Sequence, residues 1–324
     1  MALAFPAPAD ADAAVVLACD DRYLPFALHL ARQIVLAHPG RDFDILIASE
    51  TPLNLPSWAV EAGVGNPVPA NFARAGSLAL HHLQYSTYLR LFLPELLAAR
   101  YKRLLYLDSD IFLEAGGLDR LLRLPLGDHA FGAVQDVIGM LNPGDHAPEY
   151  RAIGEPAHMY FNSGVLLIET ASWVAQGILE RCLKLGADKP QVQVKHDQSL
   201  LNGVMLGRFA ELSPVWNWML NQTFPFLTRG FPVRMRHFIG AVKPWGDPKG
   251  RHDARYRSAY ADFFALGLAT TVPRMDVPAP GLRRMPLQRM AQHVLLEQRH
   301  GKRLVSELGR FRDAWDVKLT AGAR

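Results

Sequence analysis

Asp108-Ser109-Asp110 closes the apolar run Arg103-Leu104-Leu105-Tyr106-Leu107 and offers two carboxylates with one residue between them. Side chains of a strand alternate, so residues two apart share a face. If the run is a strand, the pair converges just past its carboxyl end, where ligands bind in α/β sheets. Two hard oxygen donors suit Mg²⁺ or Mn²⁺, and such an ion commonly bridges to a phosphate. Acidic residues also end strands without binding anything, so the pair needs company.

Four other groups supply it. His237-Phe238-Ile239-Gly240-Ala241-Val242-Lys243-Pro244-Trp245 spaces an imidazole, a glycine and a lysine three residues apart. A histidine can join two carboxylates on Mn²⁺, a glycine lets backbone approach a phosphate, and a lysine adds positive charge. Asp20-Asp21-Arg22-Tyr23 combines carboxylates with a ring, fit to hydrogen-bond a nucleobase and stack on it; either aspartate equally fits a helix N-cap. Phe161-Asn162-Ser163-Gly164 reads as a polar turn before an apolar strand, and His196-Asp197-Gln198-Ser199 opens a helix that Asp197 could cap. Trp216-Asn217-Trp218 and Phe224-Pro225-Phe226 carry aromatic faces that either stack on a sugar or fill the core.

The positioning elements follow from hydrophobic spacing. Residues 13–19, 43–48, 103–107, 130–134 and 164–169 are short apolar runs that read as strands. Helical spacing follows at residues 24–37 and 87–99 and begins again at 197–203. Strands alternating with helices predict an α/β chain with a largely parallel sheet. A proline-rich stretch at 273–286 separates a catalytic domain, 1–272, from a helical tail, 287–324, in which Leu304, Leu308, Phe311 and Trp315 share one helical face.

Composition narrows the function classes. The chain of 324 residues is 49% hydrophobic, enough for a large core, and its two cysteines sit in no metal spacing. No apolar run has the length of a membrane span or of a signal peptide, so a cytoplasmic protein is expected. From residue 282 onward ten basic residues face four acidic ones, whereas the rest of the chain is nearly balanced. That distribution argues against a nucleic-acid surface and for a local basic patch. An apolar stripe flanked by arginines can lie on an anionic membrane, so the tail either touches the inner face of the cytoplasmic membrane or docks on the catalytic domain with its basic face in solvent.

With these motifs in this order, residues 13–245 resemble the retaining glycosyltransferases of family 8, which have a GT-A fold. Bacterial lipopolysaccharide galactosyl- and glucosyltransferases belong to that family, and glycogenin stands further off. The resemblance implies a Rossmann-like, mostly parallel sheet flanked by helices, with Mn²⁺ or Mg²⁺ held by Asp108, Asp110 and His237. It implies nucleotide contacts from Asp20, Asp21, Tyr23, Asp108, Ser109, Gly240 and Lys243. Arg90, which follows Thr87-Tyr88-Leu89, would lie near the nucleotide-sugar. Asp136, Asn162 and Asp197 would read the donor's hydroxyls, Gln198 would face the anomeric carbon, and His81 or His82 would stand beside the donor. Arg22 departs from the family, which usually has asparagine there.

The activity implied is metal-dependent transfer of galactose or glucose from a UDP-sugar to a glycan acceptor, lipid-linked or otherwise, as in lipopolysaccharide or other cell-surface glycans. Retention by double displacement needs a carboxylate nucleophile. Gln198 is a poor one and Asp197 a possible one, so same-face attack is the expected route. Two other readings compete: a nucleotidyltransferase, and a carbohydrate- or nucleotide-sugar-binding protein without catalysis. The first lacks a glycine-rich loop with a lysine near the N-terminus, and the intact Asp108, Asp110 and His237 set speaks against the second.

Overall fold

The structure, a computed structural model, describes residues 11–69, 78, 85–142, 146–220, 224–276 and 287–319. Its strands are β1 (Ala13–Ala18), β2 (Asp44–Ala48), β3 (Val64–Gly65), β4 (Arg103–Leu107), β5 (Ile111–Leu113), β6 (Phe131–Gln135), β7 (Phe161–Glu169), β8 (Ala210–Leu212), β9 (Met235–His237) and β10 (Val317–Leu319). Eight form one sheet in the order β10-β8-β6-β7-β4-β1-β2-β3, while β5 and β9 pair separately.

Alternation along the strands builds two cores. Val15 and Leu17 of β1, Leu105 and Leu107 of β4, and Val165 and Leu167 of β7 point to one face, covered by the helix Leu24–Ala37. Val16, Leu104, Tyr106, Leu166 and Ile168 point to the other, covered by the helix Leu89–Leu97. Burial on both faces explains why these strands read as continuous apolar runs.

The pairings of β1 with β2 and β4, of β2 with β3 and of β6 with β8 are parallel. Strand β7 runs against both of its neighbours, β4 and β6. That reversal positions the site, because an antiparallel strand begins where its parallel neighbours end. Leu107 pairs with Val165, and the Asp108 amide donates to the Gly164 carbonyl at 2.9 Å. The stretch 161–164 is therefore strand, not the expected turn. A bulge shifts the register from Ala133↔Leu166 to Val134↔Asn162 and leaves Ser163 to Val165 without partners on β6.

The tail also departs from expectation. Its helix spans Leu287–Leu308, and β10 then closes the sheet by antiparallel pairing with β8. Leu304 and Leu308 are buried on the helix. Phe311 and Trp315 reach the body from the turn that follows, so a change of direction, not one continuous helix, gathers the apolar stripe. The Trp315 ring lies 5.2 Å from Trp216, with Arg120 4.2 Å over its face. Residues 277–286 of the proline-rich stretch lie outside the described residues.

Candidate active site

Asp108 and Asp110 converge through a turn rather than by strand alternation. β4 ends at Leu107, and the Ile111 amide donates to the Asp108 carbonyl at 3.2 Å before β5 begins. β9 brings the third group, since its His237 pairs with Ile111. The imidazole Nε2 lies 3.1 Å from Asp110 Oδ1 and 3.6 Å from Asp108 Oδ2. One ligand atom from each of the three residues falls within 4.8 Å of the others.

Their electrostatics are those of a cation site. Apart from His237 Nε2, no hydrogen-bond donor among the described residues reaches the buried Asp110 Oδ1. An unpartnered buried carboxylate oxygen is costly, and a divalent ion is the partner that this donor set suits. Lys243 donates to the other Asp110 oxygen and to the Phe238 carbonyl. Burial would raise the Asp110 carboxyl, but the Lys243 ammonium and then the His237 imidazole outweigh it and hold the group well below the usual carboxylate range. Asp108 Oδ1 is met by Tyr106 Oη at 2.9 Å and by Arg90 at 2.8 Å.

Arg90 is the hub between this trio and the next group. Buried at 6% exposure, it also contacts Asp197 Oδ2 at 3.0 Å and donates to the Ser163 carbonyl at 2.8 Å and Oγ at 3.1 Å. Asp197 accepts from Thr87 Oγ1 at 3.1 Å and Ser163 Oγ at 2.9 Å, so its side chain is a network member and not the helix cap. Burial raises the Asp197 carboxyl above its ordinary range, opposed by Arg90 and reinforced by Asp108.

Gln198 is held on every side. Its Oε1 accepts from Asn162 Nδ2 at 3.0 Å and from the Ser163 amide at 3.1 Å, and its Nε2 donates to Asp136 Oδ2 at 3.1 Å. Asp136 also accepts from the Ile138 amide, capping the short helix Val137–Leu141. His196, just before this pair, has φ of 51°, a strained left-handed backbone that sets the direction of Asp197 and Gln198.

A cleft of about 250 Å³ opens above the first carboxylates, lined by Ala18, Cys19, Asp20, Arg22, Tyr23, Ser86, Thr87, Arg90, Tyr106, Asp108, Ser109 and Asp110. Neither aspartate caps the helix, whose N-cap is Tyr23; Asp20 Oδ1 instead closes the preceding turn by accepting from the Tyr23 amide at 3.0 Å, while its Oδ2 lies 3.7 Å from Arg22. Asp21 is exposed and does not line the cleft. Burial, then Asp20 and Asp21, push the Cys19 thiol far up, so it is no nucleophile. Gly240, with φ of 81°, lines a second cleft of about 370 Å³ with His237, Phe238, Met219, Val137 and Arg251. Trp245 stacks on Phe26 at 3.8 Å and ties this loop to the body.

Trp216, Trp218 and Phe224 are core residues and offer no sugar-stacking face. His81 and His82 lie outside the described residues. Asn217 carries a role that sequence reasoning missed: its Oδ1 lies 2.9 Å from His237 Nδ1, and its Nδ2 donates to Asn162 Oδ1 at 2.9 Å.

Comparison with known proteins gives the same picture. Residues 14–249 match the profile of glycosyl transferase family 8. The glycosyltransferase GlyF of Streptococcus pneumoniae serotype 4 (strain ATCC BAA-334 / TIGR4) is 30% identical over 246 residues, covering 71% of this chain and 56% of GlyF. A lipopolysaccharide 1,2-glucosyltransferase of Escherichia coli (strain K12) is 29% identical over 168 residues, 49% of this chain and 48% of that protein. The chain thus spans about half the length of these two relatives. An active-site mutant of LgtC has a crystal structure with 25% identity and a TM-score of 0.64, covering 80% of this chain and 97% of that one. The fold, the ordered motifs and the profile agree: the chain belongs to glycosyl transferase family 8.

Proposed function

We propose that this chain is a Mn²⁺-dependent, retaining hexosyltransferase that moves galactose or glucose from a UDP-sugar to a glycan acceptor. One observation carries the reading: Asp110 Oδ1 and His237 Nε2 face each other at 3.1 Å beside Asp108, with no other donor for the buried oxygen among the described residues. When bound there, a divalent ion supplies Lewis-acid neutralisation of the charge left on a departing diphosphate. Mg²⁺ fits the same oxygen donors, and the histidine favours Mn²⁺.

The chain's own residues supply the rest. Tyr23, Asp20 and Ser109 line the cleft that would hold the nucleobase, and a nucleotide contact from Asp21 would have to come from outside that lining. Lys243 and the backbone at Gly240 serve the phosphates, where preorganised positive charge stabilises the leaving group. Asp136, Asn162, Asp197 and Arg90 form the polar wall for the sugar's hydroxyls. Gln198, locked by three hydrogen bonds, presents a fixed amide dipole. A locked amide is no nucleophile, and Asp197 is engaged by Arg90, Thr87 and Ser163. This supports same-face attack, in which the departing phosphate oxygen takes the acceptor's proton.

The E. coli lipopolysaccharide 1,2-glucosyltransferase supports a cell-surface glycan as acceptor. No described helix is long and apolar enough to cross a membrane. The helix Leu287–Leu308 nonetheless exposes Leu287, Val294 and Val305 on one face, with exposed Arg299 and Lys302 beside them. That pattern supports peripheral contact with anionic lipid and a lipid-linked acceptor. Both cysteines are free and buried, in keeping with a reducing, cytoplasmic setting.

The test is UDP release from a panel of UDP-sugars, with Mn²⁺ and then with EDTA, in the presence of lipid-linked and soluble glycan fractions. Release from a UDP-hexose that EDTA stops is expected. Release that persists in EDTA would remove the metal from the account, and incorporation of the nucleotide instead of the sugar would favour a nucleotidyltransferase.

A further inference from the structure

We propose that Asn217 is a positioning residue that locks His237 in the tautomer whose Nε2 lone pair faces Asp108 and Asp110. The argument starts from backbone groups whose direction is not in question. The bulge in β7 frees two amides from the sheet: Ser163 N–H donates to Gln198 Oε1 at 3.1 Å, and Gly164 N–H donates to Asn162 Oδ1 at 3.0 Å. Asn162 Oδ1 is thereby an acceptor, so the Asn217 atom 2.9 Å from it is the amide nitrogen. The other Asn217 atom, which meets His237 Nδ1 at 2.9 Å, is then the oxygen. An oxygen there requires Nδ1 to carry a proton, so in the neutral ring Nε2 carries none.

The same direction runs the other way along the wall: Gln198 Oε1 accepts, so its amide nitrogen donates to Asp136 Oδ2. Two backbone amides of one bulge therefore set the polarity of a chain from Asp136 to His237. Asn217 itself is placed by the strand beside it, where Trp218 N–H donates to the Met235 carbonyl at 3.0 Å and His237 N–H donates to the Trp218 carbonyl at 3.1 Å. It is 1% exposed, so its amide has no water to turn toward. A hydrogen bond to the second ring nitrogen of a metal-binding histidine fixes its tautomer and orientation, and removing such a partner costs about 10- to 100-fold in metal affinity.

The consequence for metal rests on the function proposed above; the tautomer does not. Long-range ¹H–¹⁵N spectra of metal-free protein, with His237→Gln to identify the signal, should show the His237 ring protonated at Nδ1. A ring protonated at Nε2 and not at Nδ1 overturns the proposal. Mn²⁺ titration followed by electron paramagnetic resonance should show about 10- to 100-fold weaker binding in Asn217→Ala. Asn217→Asp should keep the affinity, because a carboxylate still accepts from Nδ1, while melting earlier because it faces Asn162 Oδ1 with a second acceptor. Unchanged Mn²⁺ binding in Asn217→Ala, or equal losses of affinity in both variants, would overturn the positioning role. If the unaltered protein binds no Mn²⁺, the metal reading fails and the ring spectrum alone decides the Asn217 assignment.

Discussion

Gly164 and His237 approach so closely that a Cβ on residue 164 would lie 2.3 Å from the imidazole Cε1 and 2.8 Å from Asp108 Oδ2. The need for glycine is one of space. Strand β7 runs directly behind the proposed metal pocket, and any side chain there would push the ligands apart. Gly164→Ala should therefore keep the fold, at an overpacking cost of about 1–3 kcal/mol, while weakening Mn²⁺ binding at least tenfold. Calorimetric titration with Mn²⁺ checks this; affinity equal to that of the unaltered protein would remove the geometric argument.

Arg90 holds two buried carboxylates, Asp108 and Asp197, with one guanidinium. Replacing it by methionine leaves both without their cation, and breaking a buried pair from one side typically costs about 3–5 kcal/mol. A fall of that size is expected in urea denaturation of Arg90→Met. Adding Asp197→Asn should recover part of it, since one of the two stranded charges is then gone. Additive losses in the double variant would mean that Arg90 and Asp197 act independently.

The buried His29 sits against Tyr260 at 4.1 Å, and no hydrogen-bond partner reaches its Nδ1 among the described residues. Burial, helped by Arg32, lowers its pKa to about 3. A histidine in an unfolded chain titrates near 6.5, so between these values the unfolded state binds the extra proton. The folded state keeps this contribution above about pH 6.5 and loses it progressively as the pH falls, by about 2 kcal/mol at pH 5. His29→Phe should flatten that part of the decline in urea midpoints measured from pH 7 to 5. A variant whose decline parallels that of the unaltered protein would place the titration elsewhere, with His252, which burial also lowers, as the next candidate.

The segment after Leu308 is part of the body. Arg310 pairs at 2.6 Å with Glu211, which is 1% exposed, and Trp216 donates its indole N–H to the Ala314 carbonyl at 2.6 Å. A chain ending at Leu308 strands both groups and bares the edge of β8, so several kcal/mol of stability should go with it. Melting curves test this. A truncated protein that melts like the full chain would make the tail a mere appendage.

Much of the fold was legible because strands buried on both faces must be continuous apolar runs, and β1, β2, β4 and β6 are written that way. What was not legible depended on pairing. Nothing in Phe161-Asn162-Ser163-Gly164 announces an antiparallel strand, because its polar side chains answer to Gln198 and Asn217, far away in sequence. The convergence of Asp108 and Asp110 was legible but its cause was not, since a turn and not strand alternation brings the carboxylates together. The tail stripe was read as one helix because spacing of four, three and four does not reveal a break at Gly309. Asn217 escaped notice because a single amide between two tryptophans carries meaning only once β9 lies beside it.

The central claim is that Asp108, Asp110 and His237 hold a divalent cation that in turn holds the diphosphate of a nucleotide. Calorimetric titration with UDP, in Mn²⁺ and then in EDTA, tests it most directly, with Asp110→Ala in parallel. The account predicts binding only with Mn²⁺ and none for Asp110→Ala, whose fold should survive. UDP binding that is equally tight in EDTA, or undisturbed in Asp110→Ala, would contradict it.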